Sequence, residues 1–261
     1  MLIASLAAWT LLQSPPPEAP APPPSDVKSP TKRPTVEGKP PPTAPATPTD
    51  GASAVTKLFD GKTLSGWKVF VPEGSAEGLW TVSDGVLVCT GQPVGYIATT
   101  EKYDNFELTL EWRFDPAKGA GNSGVLLRVD DTDQVWPKSI EAQLHSGNAG
   151  DIWNIGAYEM TADAKRTEGR RTLKLHPSNE KPIGEWNRYR IVVDGGKLEL
   201  YVNDLLQNSA TDVAERKGRI ALQSEGAKIE FRSIELRPLR PATGVGSPAA
   251  PASERSSSTN R

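Results

Sequence analysis

The residues best suited to chemistry lie between positions 140 and 145, where apolar and polar side chains alternate. In a β-strand this alternation places the polar members together on one face of a sheet. If neighbouring strands add their own polar residues, the candidates for that face are Glu111, Arg113, Arg128, Glu141, Gln143 and His145. Such a face could bind the hydroxyl groups of a sugar. It could equally be the solvated outer face that antiparallel sheets commonly have.

Aromatic rings and a glycine-rich loop favour the sugar-binding interpretation. Trp136, Trp153, Tyr158 and Trp186 lie in or beside predicted loops, where such rings can stack on a pyranose or attach a loop to the core. The segment 146–151 follows the polar strand directly and offers amide and carboxylate groups to hydroxyls, although it could be a plain connection. The predicted substrate-binding residues are Glu111, Asn122, Gln143, Asn148, Asp151, Trp153, Tyr158 and Trp186.

Other chemistries are poorly supported. The glycine-rich segment 119–124 lacks the Gly-Lys-Ser/Thr ending of a phosphate loop, and no nucleophile elbow is present. The acidic segment 130–133 could hold Ca²⁺ or be a solvated turn. His145 and His176 are the only histidines and lack zincin spacing, so no cofactor is predicted, although a divalent metal stays open. Cys89 is the only cysteine, which excludes an internal disulfide and a cysteine-rich zinc site.

A standard glycosidase is also weakly supported, because such enzymes use two carboxylates about 5 to 10 Å apart. Position 143, two residues after Glu141, is a glutamine. Glu111 could supply the second carboxylate only if its strand lies close by.

The elements that must position these residues are predicted to be strands. The clearest is 106–114, where aromatic and aliphatic residues alternate with polar ones over nine positions. Asp84-Gly85 and Asp194-Gly195-Gly196 predict hairpin turns. Further predicted strands are 124–129, 140–145, 157–160, 188–193, 197–203, 219–223 and 229–236. No segment has a helical apolar period, so we predict an all-β sandwich or jelly roll of two antiparallel sheets.

Composition divides the 261 residues into four parts. Residues 1–13 form an apolar, signal-like segment that is too short to span a bilayer. Residues 14–54 are rich in Pro and Ala and predict a disordered spacer, 55–238 a folded domain, and 239–261 a disordered tail. This organisation predicts a secreted, periplasmic or cell-surface protein. Net charge is −2 and no basic stripe occurs, so no nucleic-acid partner is expected. The sequence leaves protein partners undetermined.

An ordered series of short motifs resembles one family over roughly residues 55–238. It begins at 58–67 (LFDGKTLSGW) and continues through Trp80, 84–87 (DGVL), 103–108 (YDNFEL), 111–113 (EWR), 121–125 (GNSGV), 141–143 (EAQ), 184–187 (GEWN) and 231–234 (FRSI). Each motif is weak by itself, but the ordered set resembles the 3-keto-disaccharide hydrolase family, also named 3-keto-glucoside lyase/hydratase.

The resemblance implies a concanavalin A-like lectin/glucanase jelly roll and an enzyme that acts on 3-keto-glucosides. A ketone at C3 acidifies the hydrogen at C2, so a base can remove it, the C1 oxygen leaves, and water adds back. The reaction needs a base, a donor for the enediolate and an acid near the leaving oxygen. On this basis Glu141 or His145 is the expected base, and Arg128 or Arg113 the expected oxyanion partner. A non-catalytic carbohydrate-binding module and a tethered structural protein are the alternatives.

Overall fold

The computed structural model describes residues 54–239, and all regular structure within them is β-strand. The sequence predictions for the signal-like segment 1–13, most of the spacer and nearly all of the tail lie outside the described residues. Among the described residues, no helix is long and apolar enough to cross a membrane. The strands are β1 (Thr56–Lys57), β2 (Trp67–Phe70), β3 (Trp80–Ser83), β4 (Val86–Cys89), β5 (Gly95–Thr99), β6 (Phe106–Phe114), β7 (Gly124–Val129), β8 (Ser139–Gln143), β9 (Ile152–Ile155), β10 (Thr161–Ala162), β11 (Thr167–Glu168), β12 (Arg171–Thr172), β13 (Asn187–Asp194), β14 (Lys197–Val202), β15 (Leu205–Thr211), β16 (Arg219–Ser224) and β17 (Ile229–Pro238).

Two antiparallel sheets contain these strands, as the sequence predicts. The nine-stranded sheet has the order β10-β15-β14-β13-β6-β17-β4-β3, with β1 paired beside β17. The eight-stranded sheet has the order β11-β12-β9-β8-β7-β16-β5-β2. The last two strands within residues 54–239, β16 and β17, therefore lie in the interior of different sheets.

The core between the sheets follows from period-two alternation. Along β6 every second residue, from Phe106 to Phe114, is buried, and the intervening polar residues are partly exposed. Trp112 is completely buried and packs against Tyr189 of β13, with ring centroids 5.5 Å apart. Burying a large apolar side chain contributes about 1.5 to 3 kcal/mol, so this strand is a major source of stability.

The predicted hairpin turns are confirmed. Asp84 and Gly85 both have positive φ, 51° and 79°, between β3 and β4. Gly195, with a φ of 56°, and Gly196 connect β13, which ends at Asp194, to the antiparallel β14. Tight hairpin turns need positive φ, which Asp and Gly tolerate at low cost.

The expectation that six polar residues share one sheet face is wrong. β6, which carries Glu111 and Arg113, lies between β13 and β17 in the nine-stranded sheet. β7 and β8 pair with each other in the eight-stranded sheet. Period-two alternation assigns a residue to a face of its own strand, but it does not tell which strands are neighbours.

Candidate functional site

A cleft of about 190 Å³ opens on the outward face of the eight-stranded sheet, on the side away from the core. Its lining residues come from two strands, β8 and β9, and four connecting segments, and they are Asn122, Trp136, Glu141, Gln143, Trp153, Ile155, Arg170 and Glu225. Binding sites are typically concave, with apolar walls and a few polar groups that converge. This cleft has that composition.

Strand β8 places two of the lining residues by alternation. Ile140 and Ala142 belong to the buried core, whereas Glu141 and Gln143 face outward into the cleft, as predicted from the sequence. Glu141 is paired in register with Trp153 of β9. Residues directly opposite on neighbouring antiparallel strands have adjacent side chains. The register therefore brings a carboxyl beside an indole ring.

Strand β7 leaves space for the Glu141 side chain. Gly124 lies on β7, between β8 and β16, and a Cβ atom built on it would lie 2.5 Å from Oε1 of Glu141. The same Cβ would lie 2.4 Å from Oε1 of Gln223 on β16. Two polar side chains from flanking strands thus meet over a glycine.

The two carboxyl groups of the cleft have unequal proton affinities. Burial is the largest cause that raises the pKa of Glu141 to about 8; the neighbouring Glu225 raises it further, while Gln223 and Arg170 oppose the change. Burial also raises the pKa of Glu225 to about 6, and Asn122 opposes that change. At neutral pH one carboxyl is therefore mainly protonated and the other mainly ionised, which is the division of roles that acid–base catalysis needs.

Several polar atoms at the site are buried without a hydrogen-bond partner. These atoms are Oδ1 of Asn122, Nε1 of Trp153, and both Nε2 and Oε1 of Gln223. An unsatisfied buried polar group costs about 1 to 3 kcal/mol, and native proteins contain few of them. Polar atoms of this kind beside a cleft are available to hydrogen-bond a polar ligand.

Arg170 adds positive charge to the cleft. Its guanidinium lies over the ring of Trp153, 5.3 Å from the centroid, and its charge favours the ionised form of Glu141. The neighbouring Arg171 lies 5.8 Å from the same ring. Arginine on an aromatic face is held in orientation by the cation–π contact.

Arg128 does not reach the cleft, so the prediction that it shares a face with Gly124 and Leu126 is wrong. Its φ is +55°, and the pairing of β7 with β16 shifts register at this point. The bulge turns the side chain into the protein, where it donates to the carbonyl oxygens of Ala214 at 2.7 Å and Gly195 at 3.3 Å. Arg128 therefore ties loops to the sheet.

Glu111, Arg113 and Trp186 form a separate group beside the outward side of the nine-stranded sheet. Arg232 donates to Glu111 at 2.7 Å, and the guanidinium groups of Arg113 and Arg232 lie 4.5 and 4.1 Å from the Trp186 ring centroid. Arg113 also pairs with Glu230 at 2.7 Å. None of the three lines the cleft, and their charges are balanced locally.

The remaining predicted residues connect loops. Asp151 is completely buried and accepts from Arg171 Nε at 2.7 Å. Tyr158 is buried, and its hydroxyl donates to the Ala214 carbonyl oxygen at 2.9 Å, which supports its loop-attachment interpretation. These contacts use the polar atoms that a ligand would need.

His145 is exposed in the turn after β8 and lies outside the cleft lining. Its Nδ1 lies 3.0 Å from Nδ2 of Asn148, while its backbone N–H donates to Oε1 of Gln143 at 2.8 Å. The strand ends at Gln143, so the alternation that would have placed His145 beside Glu141 also ends there.

Within residues 54–239, no three His, Cys, Asp or Glu side chains converge in a way that could hold a metal ion. In the acidic segment, Asp131 pairs with Lys102 at 2.5 Å and with Arg219 at 3.1 Å. Oδ1 of Asp130 accepts from the backbone N–H of Thr132 at 3.1 Å. These contacts belong to a turn that is tied to the surface by ion pairs.

Sequence reasoning missed Glu225, Arg170 and Gln223. Gln223 and Glu225 are two positions apart, so they would lie on one face if the predicted strand 219–223 continued to residue 225. Nothing in the sequence places that strand beside β7, or the loop residue Arg170 beside Trp153.

Comparison with known proteins gives consistent results. The model of a family described as "3-keto-alpha-glucoside-1,2-lyase-like domain" matches residues 54–237. A 3-keto-disaccharide hydrolase of Bacteroides thetaiotaomicron is 27% identical over 242 residues, covering 72% of this chain and 79% of the relative.

Solved structures agree on the fold. Two solved structures of Parabacteroides distasonis proteins have TM-scores of 0.53 and 0.52 at 24% and 22% identity. Each covers 71% of this chain, and the matches extend over 100% and 94% of those chains. At this level of identity the likeness shows the jelly-roll fold.

Proposed function

The chain belongs to the 3-keto-alpha-glucoside-1,2-lyase-like family, and from that premise we propose that it cleaves the glycosidic bond of 3-keto-glucosides in the cleft around Glu141 and Glu225. The observation that carries this proposal is the pair of carboxyls that line one cleft, Glu141 buried and Glu225 half-buried, and their raised pKa values of about 8 and about 6 support it. A base and an acid with separated pKa values in one cleft suit elimination followed by hydration.

The proposed reaction begins at C2 of the oxidised sugar. Glu225, which is mainly ionised at neutral pH, removes the C2 proton, and the electron pair of that C–H bond forms an enediolate with the C3 carbonyl. The enediolate then collapses, the C1–O bond breaks, and Glu141 gives its proton to the leaving oxygen. Water adds back across the double bond with the two roles reversed, so the net change is hydrolysis.

The expected roles of Glu141 and His145 as base are thereby revised. Glu141 holds its proton at neutral pH because of burial and the neighbouring carboxyl, so we assign it as the acid. His145 is exposed beyond the end of β8 and is given no role in the reaction.

Negative charge on the C3 oxygen needs a donor, and we assign this role to Arg170. Its guanidinium lies in the cleft and is oriented by Trp153. Groups aimed at developing charge in a partly dry site commonly contribute the largest part of rate acceleration. The rings of Trp136 and Trp153 are proposed to contact the apolar face of the sugar.

The test uses purified full-length protein with 3-keto-trehalose and with unoxidised trehalose. We expect glucose release from the keto sugar only, with a bell-shaped dependence of kcat/KM on pH whose limbs lie near 6 and 8. Glu225→Gln should remove the ascending limb and lower kcat/KM by about 10²- to 10⁴-fold. Glu230→Gln, on the other sheet, is the matched control.

A second readout separates elimination from direct hydrolysis. With substrate deuterated at C2, elimination predicts loss of the label to water and transient 2-hydroxy-3-keto-glucal. Retention of all deuterium during turnover, together with the absence of a primary isotope effect from deuterium at C2, would refute the elimination route. Absence of turnover together with saturable sugar binding would favour a carbohydrate-binding module, which the unpartnered amide and indole groups also suit.

We also propose that the protein is exported. Support comes only from the sequence, in the apolar segment 1–13 and the Pro-rich spacer 14–54. Expression with a fused reporter and cell fractionation test this, and accumulation of the full-length chain in the cytoplasm would contradict it.

A further inference from the structure

The space above Gly124 is filled by side chains from both neighbouring strands. A Cβ atom at this position would lie 2.5 Å from Oε1 and 2.8 Å from Cγ of Glu141, and 2.4 Å from Oε1 of Gln223. Real Cβ atoms essentially never approach other atoms this closely. Glu141 and Gln223 therefore occupy the volume that any larger residue at position 124 would need.

Gln223 is buried, and its amide makes only a loose hydrogen bond to the Glu141 carboxyl, one outside strict hydrogen-bond geometry. The residue is 1% exposed, and neither Nε2 nor Oε1 has a partner in hydrogen-bonding geometry. Buried amides are normally satisfied, because leaving one unpaired forfeits its hydration. The polar group beside it is the Glu141 carboxyl, whose ionised form Gln223 favours.

A primary amide can serve a carboxyl group in both of its protonation states. Its N–H₂ group donates to a carboxylate, and its carbonyl oxygen accepts from a carboxylic acid. Rotation about the last side-chain bond exchanges the two, because that torsion is broad and roughly two-fold. Neither an aliphatic nor a shorter side chain has this property together with the reach of glutamine.

We propose that Gln223 is a positioning residue that holds the Glu141 carboxyl throughout the reaction cycle, donating to it when ionised and accepting from it when protonated, in the space that Gly124 leaves open. This inference rests on the proposed function, because it requires Glu141 to gain and lose a proton during turnover. The other charged groups that face Glu141 are Glu225, which opposes its ionisation, and Arg170, which favours it.

The first test measures the titration of Glu141 in the absence of substrate. Full-length protein labelled with ¹³C at the glutamate carboxyl is titrated by NMR, and Glu141→Gln identifies the signal. A hydrogen bond donated to a carboxylate is stronger than one accepted from a neutral carboxyl. In Gln223→Met, which keeps length and removes both hydrogen-bonding groups, the pKa of Glu141 should therefore rise by about one. Gln134→Met, on an exposed loop, is the matched control and should leave the signal in place. An unchanged titration in Gln223→Met would overturn the proposal.

The second test alters Gly124 itself. The atoms that a Cβ would meet first belong to side chains, and the φ of Gly124 lies outside the left-handed region, so Gly124→Ala should still form its strands. We expect kcat to fall by about tenfold or more, KM to change little, and the descending limb of the pH profile to move together with the NMR titration. An active Gly124→Ala with an unaltered profile would also overturn the proposal. A different result separates the two proposals. If the pKa of Glu141 shifts in Gln223→Met but the wild-type protein turns over no keto sugar, the positioning role stands and the proposed function is refuted.

Discussion

Replacement of Glu141 by glutamine should change how stability depends on pH. The pKa of Glu141 is raised to about 8 in the folded protein, whereas a glutamate in an unfolded chain ionises at about 4.3. Between these values the folded state binds more protons than the unfolded state, so the free energy of unfolding falls as the pH rises. The stabilisation that protonated Glu141 contributes is fully present below about pH 4.3, and it is lost as the pH rises through about 8.

The size of this effect follows from the same two pKa values. Each pH unit inside the window lowers the free energy of unfolding by about 1.4 kcal/mol. Three of these units lie between pH 5 and pH 8, so Glu141 accounts for a loss of at most about 4 kcal/mol over that range. Glu141→Gln removes the titrating group. We therefore expect its stability relative to the wild type to improve by about 3 kcal/mol when the pH changes from 5 to 8.

Urea denaturation at both pH values measures this difference directly. The control is Glu159→Gln, whose exposed carboxyl has a pKa lowered to about 2 by ion pairing with Arg216, so it is ionised in both states across the range. This control should show the same difference from wild type at pH 5 and pH 8. A Glu141→Gln difference that is also equal at both pH values would refute the argument from burial.

Three further substitutions separate the cleft from its scaffold. Arg170→Ala should lower kcat by about 10²- to 10³-fold with little change in melting temperature, measured by steady-state kinetics and calorimetry; an effect below tenfold would remove its role at the C3 oxygen. Arg128→Leu should destabilise the fold by about 2 to 3 kcal/mol in urea, because the Gly195 carbonyl oxygen loses its side-chain donor and the Ala214 carbonyl oxygen keeps only the Tyr158 hydroxyl, and the kcat of the folded fraction should be unchanged. Trp112→Ala should lower the free energy of unfolding by about 3 to 5 kcal/mol, because it leaves a cavity at a fully buried position. A smaller loss, measured by urea denaturation, would mean that the core collapses into that cavity.

The sequence predicted the fold well where the physical rule is local. Alternation over residues 106–114 sets which side chains are buried, and over 140–143 it sets which face of the sheet each side chain takes. The turns at Asp84 and Gly195 depend only on tolerated backbone angles. Glu141 and Gln143 were therefore assigned to the correct face. The resemblance to the family extended this to the jelly roll.

The sequence could not predict departures from that rule or contacts between distant segments. The bulge at Arg128 interrupts the alternation of β7, and the close approach of Gly218 to the Arg128 backbone becomes visible only in three dimensions. Glu225 joins Glu141 because β16 lies beside β7, which is a pairing between segments nearly 100 residues apart in the chain. Charge and polarity at those positions give no signal of proximity.

The interior positions of β16 and β17 have a consequence for folding. β16 separates β7 from β5, and β17 separates β6 from β4, so each sheet is in two unconnected parts until one of these strands is added. Contacts between segments distant in sequence slow folding, because chain entropy is lost before the contacts form. During synthesis the final strands leave the ribosome last, and Glu225 lies in the connection between them. The acid–base pair is thus assembled only when the domain is complete, and a chain truncated before residue 219 would lack both the continuity of its sheets and half of its proposed chemistry.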